Sequence, residues 1–181
     1  MSYTSAYNTC DDSLDPHYSR TCDDETEKAR IRRGAFIHKS VIANIMVNPT
    51  DNAAWSTHVA DGKVLIMPEL TGTSDGGTPK MGPGYGDQKE TYIGSDFKVV
   101  VKDPLYKENW GFYKSLAGKS SYHFAYCTET QVHITGKPVT VASKNAITEN
   151  IEDNVIWESD LSWFEKFTPA PHDIPAVFTT P

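Results

Sequence analysis

From Thr91 to Val101 the chain alternates. Ile93, Phe97, Val99 and Val101 fall on one side and Tyr92, Lys98 and Lys102 on the other, which is the pattern of a half-buried strand. The last third repeats it. Ser121 to Thr128 sets Tyr122, Phe124 and Tyr126 on one face, a tight turn follows, and Gln131 to Thr135 returns, with Tyr126 expected opposite His133. Gly136-Lys137-Pro138 turns into Val139 to Ala142, and a polar link, Ser143 to Asp153, leads to the longest run, Asn154 to Phe167. There Val155, Trp157, Leu161, Trp163 and Phe167 share one face, while Asn154, Glu158, Asp160 and Lys166 share the other. Nearer the start the signal is weaker. Residues 30–47 alternate only loosely around Phe36 and Ile37 and read as one strand, bent near Ala43-Asn44, before Asn48-Pro49 breaks it. Lys63 to Met67 is a short apolar strand stopped by Pro68.

Two stretches carry the helical period instead. Thr50 or Asp51 caps a short helix at about 51–60 through Ala53, Ala54, Trp55 and Val59, closed by Asp61-Gly62. Asp103-Pro104 opens a helix at about 104–117, with Tyr106, Trp110, Tyr113 and Leu116 as its buried stripe and Gly118 as its left-handed stop. About seven strands with these helices predict a mainly β fold, an antiparallel β-sandwich or barrel with one packed helix. Between the strands at 63–67 and 91–101 lies a glycine-loaded stretch, 70–94. It holds Gly72, Gly76, Gly77, Gly82, Gly84, Gly86 and Gly94, seven of twelve glycines in the chain, with Pro79 and Pro83. It reads as a long flexible loop, and loops of this length generally serve function or remain loose. Pro169, Pro171, Pro175 and Pro181 make 168–181 a surface arm that continues neither strand nor helix.

At 181 residues, 38% hydrophobic and 23% charged, the chain fits one domain with a real core, 30–167, flanked by an N-terminal arm at 1–29 and the C-terminal arm. No apolar run reaches the roughly 18–20 residues of a membrane span. The first residues lack the basic and apolar regions of a secretory signal, so a cytoplasmic product is expected. The net charge of -7 is concentrated. Asp11, Asp12, Asp15, Asp23, Asp24, Glu25 and Glu27 precede residue 28 against Arg20 alone, and a basic cluster, Lys28, Arg30, Arg32 and Arg33, follows at once. One reading is a solvated tail; the sharper one is a docking arm that pairs with the basic cluster of an adjacent subunit. Four basic residues beside seven acids make a poor nucleic-acid surface.

Candidate chemistry is sparse. Gly82-Pro83-Gly84-Tyr85-Gly86 lacks the Gly-Lys-Ser/Thr and the following helix of a phosphate loop. No Gly-x-Ser-x-Gly elbow occurs. Cys127 sits among strand aromatics as a buried thiol. Cys10 and Cys22 lie in a near-repeat, Thr-Cys-Asp-Asp; they allow a disulfide, a pair of zinc thiolates with His17 between them, or two free thiols, the last being the expectation. His123 and His133 flank a hairpin without converging with Cys127 on one metal, and His17, His38, His58 and His172 are scattered. Glu158 and Asp160 have the spacing of a polar outer face as much as of a glycosidase pair. Trp157, Trp163, Tyr122 and Tyr126 alternate with aliphatic residues as core rather than as a sugar platform. No catalytic, cofactor-binding or metal-binding residue is assigned, and an enzyme is not expected.

The β-rich body, central helix, long hairpin-like loop and extended termini resemble the tail-tube proteins of tailed bacteriophages and their secretion-system relatives. Arg30-Ile31-Arg32-Arg33-Gly34-Ala35-Phe36-Ile37, Gly84-Tyr85-Gly86-Asp87-Gln88 and Val155-Ile156-Trp157-Glu158 resemble pieces of virion proteins from phages of Bacteroidetes-type hosts. The likeness spans most of residues 30–175; the acidic cysteine-bearing arm departs from the simple tube pattern. The resemblance implies a ring-forming subunit, stacked into a tube or placed at a head–tail junction, assembled in the host cytoplasm and carried in the virion. Its partners would be copies of itself, with a hexamer among the forms allowed, other virion proteins, and DNA passing without specific binding; no membrane is implied. It brings no catalytic residues. The alternative is a carbohydrate- or ligand-binding β-sandwich module.

Overall fold

A computed structural model describes residues 29–84, 86, 89–147 and 154–179. The acidic segment with Cys10, His17 and Cys22 lies outside the described residues. In chain order the elements are β1 (Arg33–His38), α1 (Ile42–Val47), α2 (Asn52–Ala60), β2 (Val64–Met67), β3 (Thr71–Ser74), β4 (Thr78–Gly82), β5 (Thr91–Asp103), α3 (Trp110–Leu116), β6 (Tyr122–Cys127), β7 (Gln131–Ile134), β8 (Thr140–Asn145), β9 (Trp157–Glu165), β10 (Pro171–Asp173) and a closing 3-10 turn (Ala176–Phe178). The fold is mainly β, as the alternation predicts. Two antiparallel sheets form, in the orders β10-β7-β6-β1-β2 and β3-β5-β9-β8, with β4 also on β5.

The sheets bury their aromatic faces against each other. Phe36 and Phe124 from the first sheet meet Phe97, Val99, Val101, Leu161 and Trp163 from the second. Trp163 stacks on Phe97 at 5.3 Å between centroids. Trp157 stacks on Tyr113 at 5.0 Å, which ties α3 to the same core. The first sheet has a second buried face. Ala35, Ile37, Val64, Ala125, Cys127 and Val132 point away from the aromatic core and are covered by Ile45 of α1, Trp55 of α2 and Phe178. The molecule is therefore layered as sheet, sheet and helices.

That second buried face explains why the alternation near residue 30 is loose. A strand covered on both sides carries apolar residues at successive positions, and four consecutive residues of β1, Gly34–Ile37, are buried. The single strand expected at 30–47 ends instead at His38. Val41 N–H donates to His38 O and Ile45 N–H to Val41 O, and α1 follows. Burial of Ile45 against the sheet outweighs the weak helix preference of its β-branched residues.

The helix expected from 104 begins later, at Trp110. Asp103 is 3% exposed and holds the intervening turns: its carboxylate accepts from Leu105 N–H at 2.8 Å, Asn109 Nδ2 at 2.6 Å and Tyr113 Oη at 2.9 Å. It caps a turn system rather than a first helical turn. The short helix α2 is as expected, with Asp51 Oδ1 accepting from Ala53 N–H at 3.0 Å.

The glycine-loaded stretch differs most from expectation. Much of it is strand, and β3 and β4 lie along one edge of β5, β3 opposite Val99–Lys102 and β4 opposite Thr91–Asp96. Between them Asp75-Gly76-Gly77 bulges. Asp75 Oδ1 accepts from Lys98 N–H and from Gly77 N–H, both at 3.0 Å, so a side chain keeps the ladder satisfied across the interruption. Gly77, at φ +90°, lies against the Phe97 ring where no Cβ fits. Glycine here makes room for a core aromatic.

The C-terminal segment is likewise not a surface arm. β10 pairs with β7, with Pro171 opposite His133, and Phe178 is 2% exposed and packs on Trp55 at 4.9 Å. An edge strand tolerates proline because its outer N–H has no partner to lose.

Candidate functional site

The residues singled out for chemistry do not converge. Tyr126 does face His133, and the rings stack at 5.0 Å. His123 is buried and its Nδ1 pairs with Thr135 O at 2.9 Å, a satisfied core histidine. Burial pushes the Cys127 thiol up to about 12, against a smaller opposing pull from Arg33, which leaves it a poor nucleophile. His58 Nε2 pairs with Asn44 at 2.9 Å. Among the described residues no three His, Cys, Asp or Glu side chains are grouped to hold a metal. Trp157, Trp163 and Tyr126 lie in the inter-sheet core with Tyr122 packed beside it, so they offer no open stacking platform.

Glu158 and Asp160 do point outward from β9, but each meets lysines. Lys98 lies 2.8 Å from Asp160; Lys144 and Lys102 lie 2.7 and 3.7 Å from Glu158. Lys80 pairs with Asp96 at 2.6 Å on the same sheet. The hydrogen bond from Lys144, helped by the Lys144 and Lys102 charges, holds the Glu158 carboxyl below its ordinary range despite some desolvation. These acids and lysines form a zwitterionic ladder across the open face of the second sheet.

One end of that sheet is different. Where β4 and β5 run past the body, Met81, Tyr92 and Ile93 are 53%, 42% and 49% exposed. The pairing shifts register here: Lys80 faces Gly94 and Met81 faces Tyr92, which leaves Ile93 as the extra residue of a bulge, set beside Gly82. Met81 and Gly82 are successive in β4, so Tyr92 and Ile93 open on opposite faces of this hairpin end. The alternation places Ile93 and Phe167 on the buried side; the bulge breaks the period at Ile93, Phe167 lies past the end of β9, and both are exposed. Phe164 and Phe167 adjoin the same end. Phe164 lies where a Cβ on Gly94 would clash with its ring, and Tyr92 Oη donates to Lys166 O at 2.7 Å. Lys80 sits 5.7 Å from the Phe164 ring centroid and Lys166 5.5 Å from that of Phe167. The result is a cluster of five large apolar side chains rimmed by lysines.

Two clefts lie close to β1 and β2. One, of about 300 Å³, lies between the outer edge of β2 and the start of α3, lined by Leu65, Met67, Leu105 and Phe112 with Asp103 and Asn109. The other, of about 400 Å³, is lined by Arg30, Arg32, Arg33, Glu69, Leu70 and Pro104 among others. The basic cluster was visible in the sequence, and Asp103 stood out there as a helix start; Asp75 and the hairpin end did not, since neither carries a local motif. Among the described residues no helix is long and apolar enough to cross a membrane. Comparison with protein-family models, curated proteins and solved structures finds no match.

Proposed function

We propose that this protein is a virion structural subunit that assembles with copies of itself into rings or a tube, as a tail-tube or head–tail junction component of a tailed bacteriophage. The observation that carries self-assembly is the β4–β5 hairpin end, whose apolar side chains are open on both faces. Covering a large apolar side chain is worth about 1.5–3 kcal/mol, and an uncovered cluster of this kind marks a contact surface. The sheet edges add to it. The outer sides of β2 and β8 are strand edges that a neighbouring copy can extend, which removes their liability to random pairing. A contact between two different surfaces of one subunit gives rings when the rotation closes and filaments when it does not. The C-terminal segment docks on its own body, which leaves the hairpin and the N-terminal segment for bridging between copies. The virion context rests on the resemblance of the fold plan and the three quoted stretches to phage proteins.

The test is negative-stain microscopy with sedimentation velocity on the purified protein. Rings or tubes are expected, and Met81→Ser with Ile93→Ser should leave folded smaller species. Monodisperse monomer for the unaltered protein at high concentration refutes the assembly reading. The apolar cleft beside β2 favours a second reading, a ligand-binding module. A saturable ligand-dependent rise in Tm, lost in Phe112→Ala, would support it.

A further inference from the structure

We infer that the cleft formed by Arg30, Arg32 and Arg33 receives the acidic N-terminal segment of a second copy of this chain, an inference that rests on the self-assembly reading above. The cleft is built from backbone that has little freedom. Ile31 is 4% exposed, bridges to Gly72 and anchors the stretch in the inter-sheet core. Arg32 N–H donates to Cys127 O and Arg32 O accepts from Leu70 N–H, both at 2.9 Å. Arg30 and Arg32, on either side of the inward Ile31, are thereby turned outward. Pro68, Glu69, Leu70 and Pro104 form the remaining wall of a cleft of about 400 Å³.

Its charge is unbalanced. Glu129 lies 3.4 Å from Arg32 at a surface-exposed pair, and Glu69 lines the wall. A cleft lined by three arginines, one of them paired with Glu129, suits a ligand with carboxylates, because a guanidinium fork can take a carboxylate in two parallel hydrogen bonds. The chain itself carries such a ligand. Residues 1–27 hold seven acids against one arginine, and Asp23, Asp24, Glu25 and Glu27 are nearly contiguous. Glu27 stands three positions before Arg30, and a run that continues extended, at about 3.3 Å per residue, would carry the acids away from their own arginines and towards a neighbour. The contact differs in kind from the apolar hairpin: it weakens with salt, since at 1 M the screening length falls to about 3 Å, while apolar burial does not.

The experiment reverses the charges one side at a time in the full chain. One variant carries Arg30→Glu and Arg32→Glu, both on exposed or half-exposed positions; Arg33 within β1 is left alone. The other carries Asp23→Lys, Asp24→Lys, Glu25→Lys and Glu27→Lys. Circular dichroism and Tm check that each is folded. Sedimentation velocity at low salt should show each variant alone associating about tenfold more weakly than the unaltered protein. A 1:1 mixture should co-sediment as larger species, because each acidic or basic segment then meets an opposite cleft on the other chain. A mixture that stays as dissociated as its parts, or a single chain carrying all six substitutions that regains association while the mixture does not, overturns docking between copies. If the unaltered protein assembles and neither variant changes it, this inference falls and the assembly reading stands; if the unaltered protein never associates, both fall.

Discussion

The two sheets are built from similar strands and are treated very differently by the rest of the chain. The first is covered twice, by the second sheet on its aromatic face and by α1, α2 and the C-terminal turn on its aliphatic face. The second is covered once, and its other face carries lysine–carboxylate pairs and ends in an apolar hairpin tip. One sheet therefore holds most of what makes the molecule stable, and the other holds most of what remains available for contact. The strands do not set this division by themselves. It follows from where the short helices and the proline-rich tail come to rest.

The strongest way to break the comparison is to remove the outer cover of the first sheet. Phe178 lies on Trp55 and is 2% exposed. Phe178→Ala should cost about 3–5 kcal/mol, the range for truncating a buried aromatic, read as a lower urea midpoint with an unchanged slope. A change below about 0.5 kcal/mol would return the tail to the surface arm that its prolines suggested.

Alkaline pH sharpens it next, because the tyrosine and the thiol concerned lie on the first sheet. Burial pushes Tyr126 and Cys127 up to about 12 from ordinary values near 10 and 9. For Tyr126 a hydrogen bond from Ser74 pulls the other way, and the Asp75 and Glu165 charges add to the rise. The folded state holds these protons more tightly than the unfolded one. Their contribution is thus full below about pH 9 and is lost as pH rises towards 12. Urea midpoints should fall progressively over that window, and Cys127→Ala should remove the earliest part of the fall. A midpoint flat from pH 8 to 11.5 contradicts the burial of both groups.

The sequence was legible where one face of an element is buried and the pattern is local. β6, β7, β9 and α2 stand close to where alternation and capping put them, and the register assumed for the tight turn, Tyr126 opposite His133, is the one observed. The illegible parts share a cause. Gly77 and Gly94 signal flexibility by composition, yet their lack of a Cβ makes way for Phe97 and Phe164, residues distant in sequence. Pro171 signals a break, yet an edge strand accepts it. Ile93 and Phe167 keep the period of a buried face, but the period shows neither the bulge that sets Ile93 out of register nor the end of β9 before Phe167. The candidate surfaces divide in the same way: an arginine cluster is a string of letters, whereas an uncovered hairpin tip is a property of what fails to pack on it.

The smallest effect belongs to the charged ladder, and it tests the contact half of the comparison. Lys144 pairs with Glu158 at 2.7 Å, with its side chain two-thirds exposed. Pairs of this kind contribute little, since water already solvates both partners and salt screens them. Lys144→Met should therefore leave the urea midpoint nearly unchanged, and any shift should vanish at high salt. Its effect on association is the informative reading. If the open face of the second sheet takes part in contacts between copies, replacing one rung by an apolar side chain alters the sedimentation profile while Tm hardly moves. If both stay constant, contact is confined to the hairpin tip and the sheet edges, and the ladder serves to keep the broad face in water.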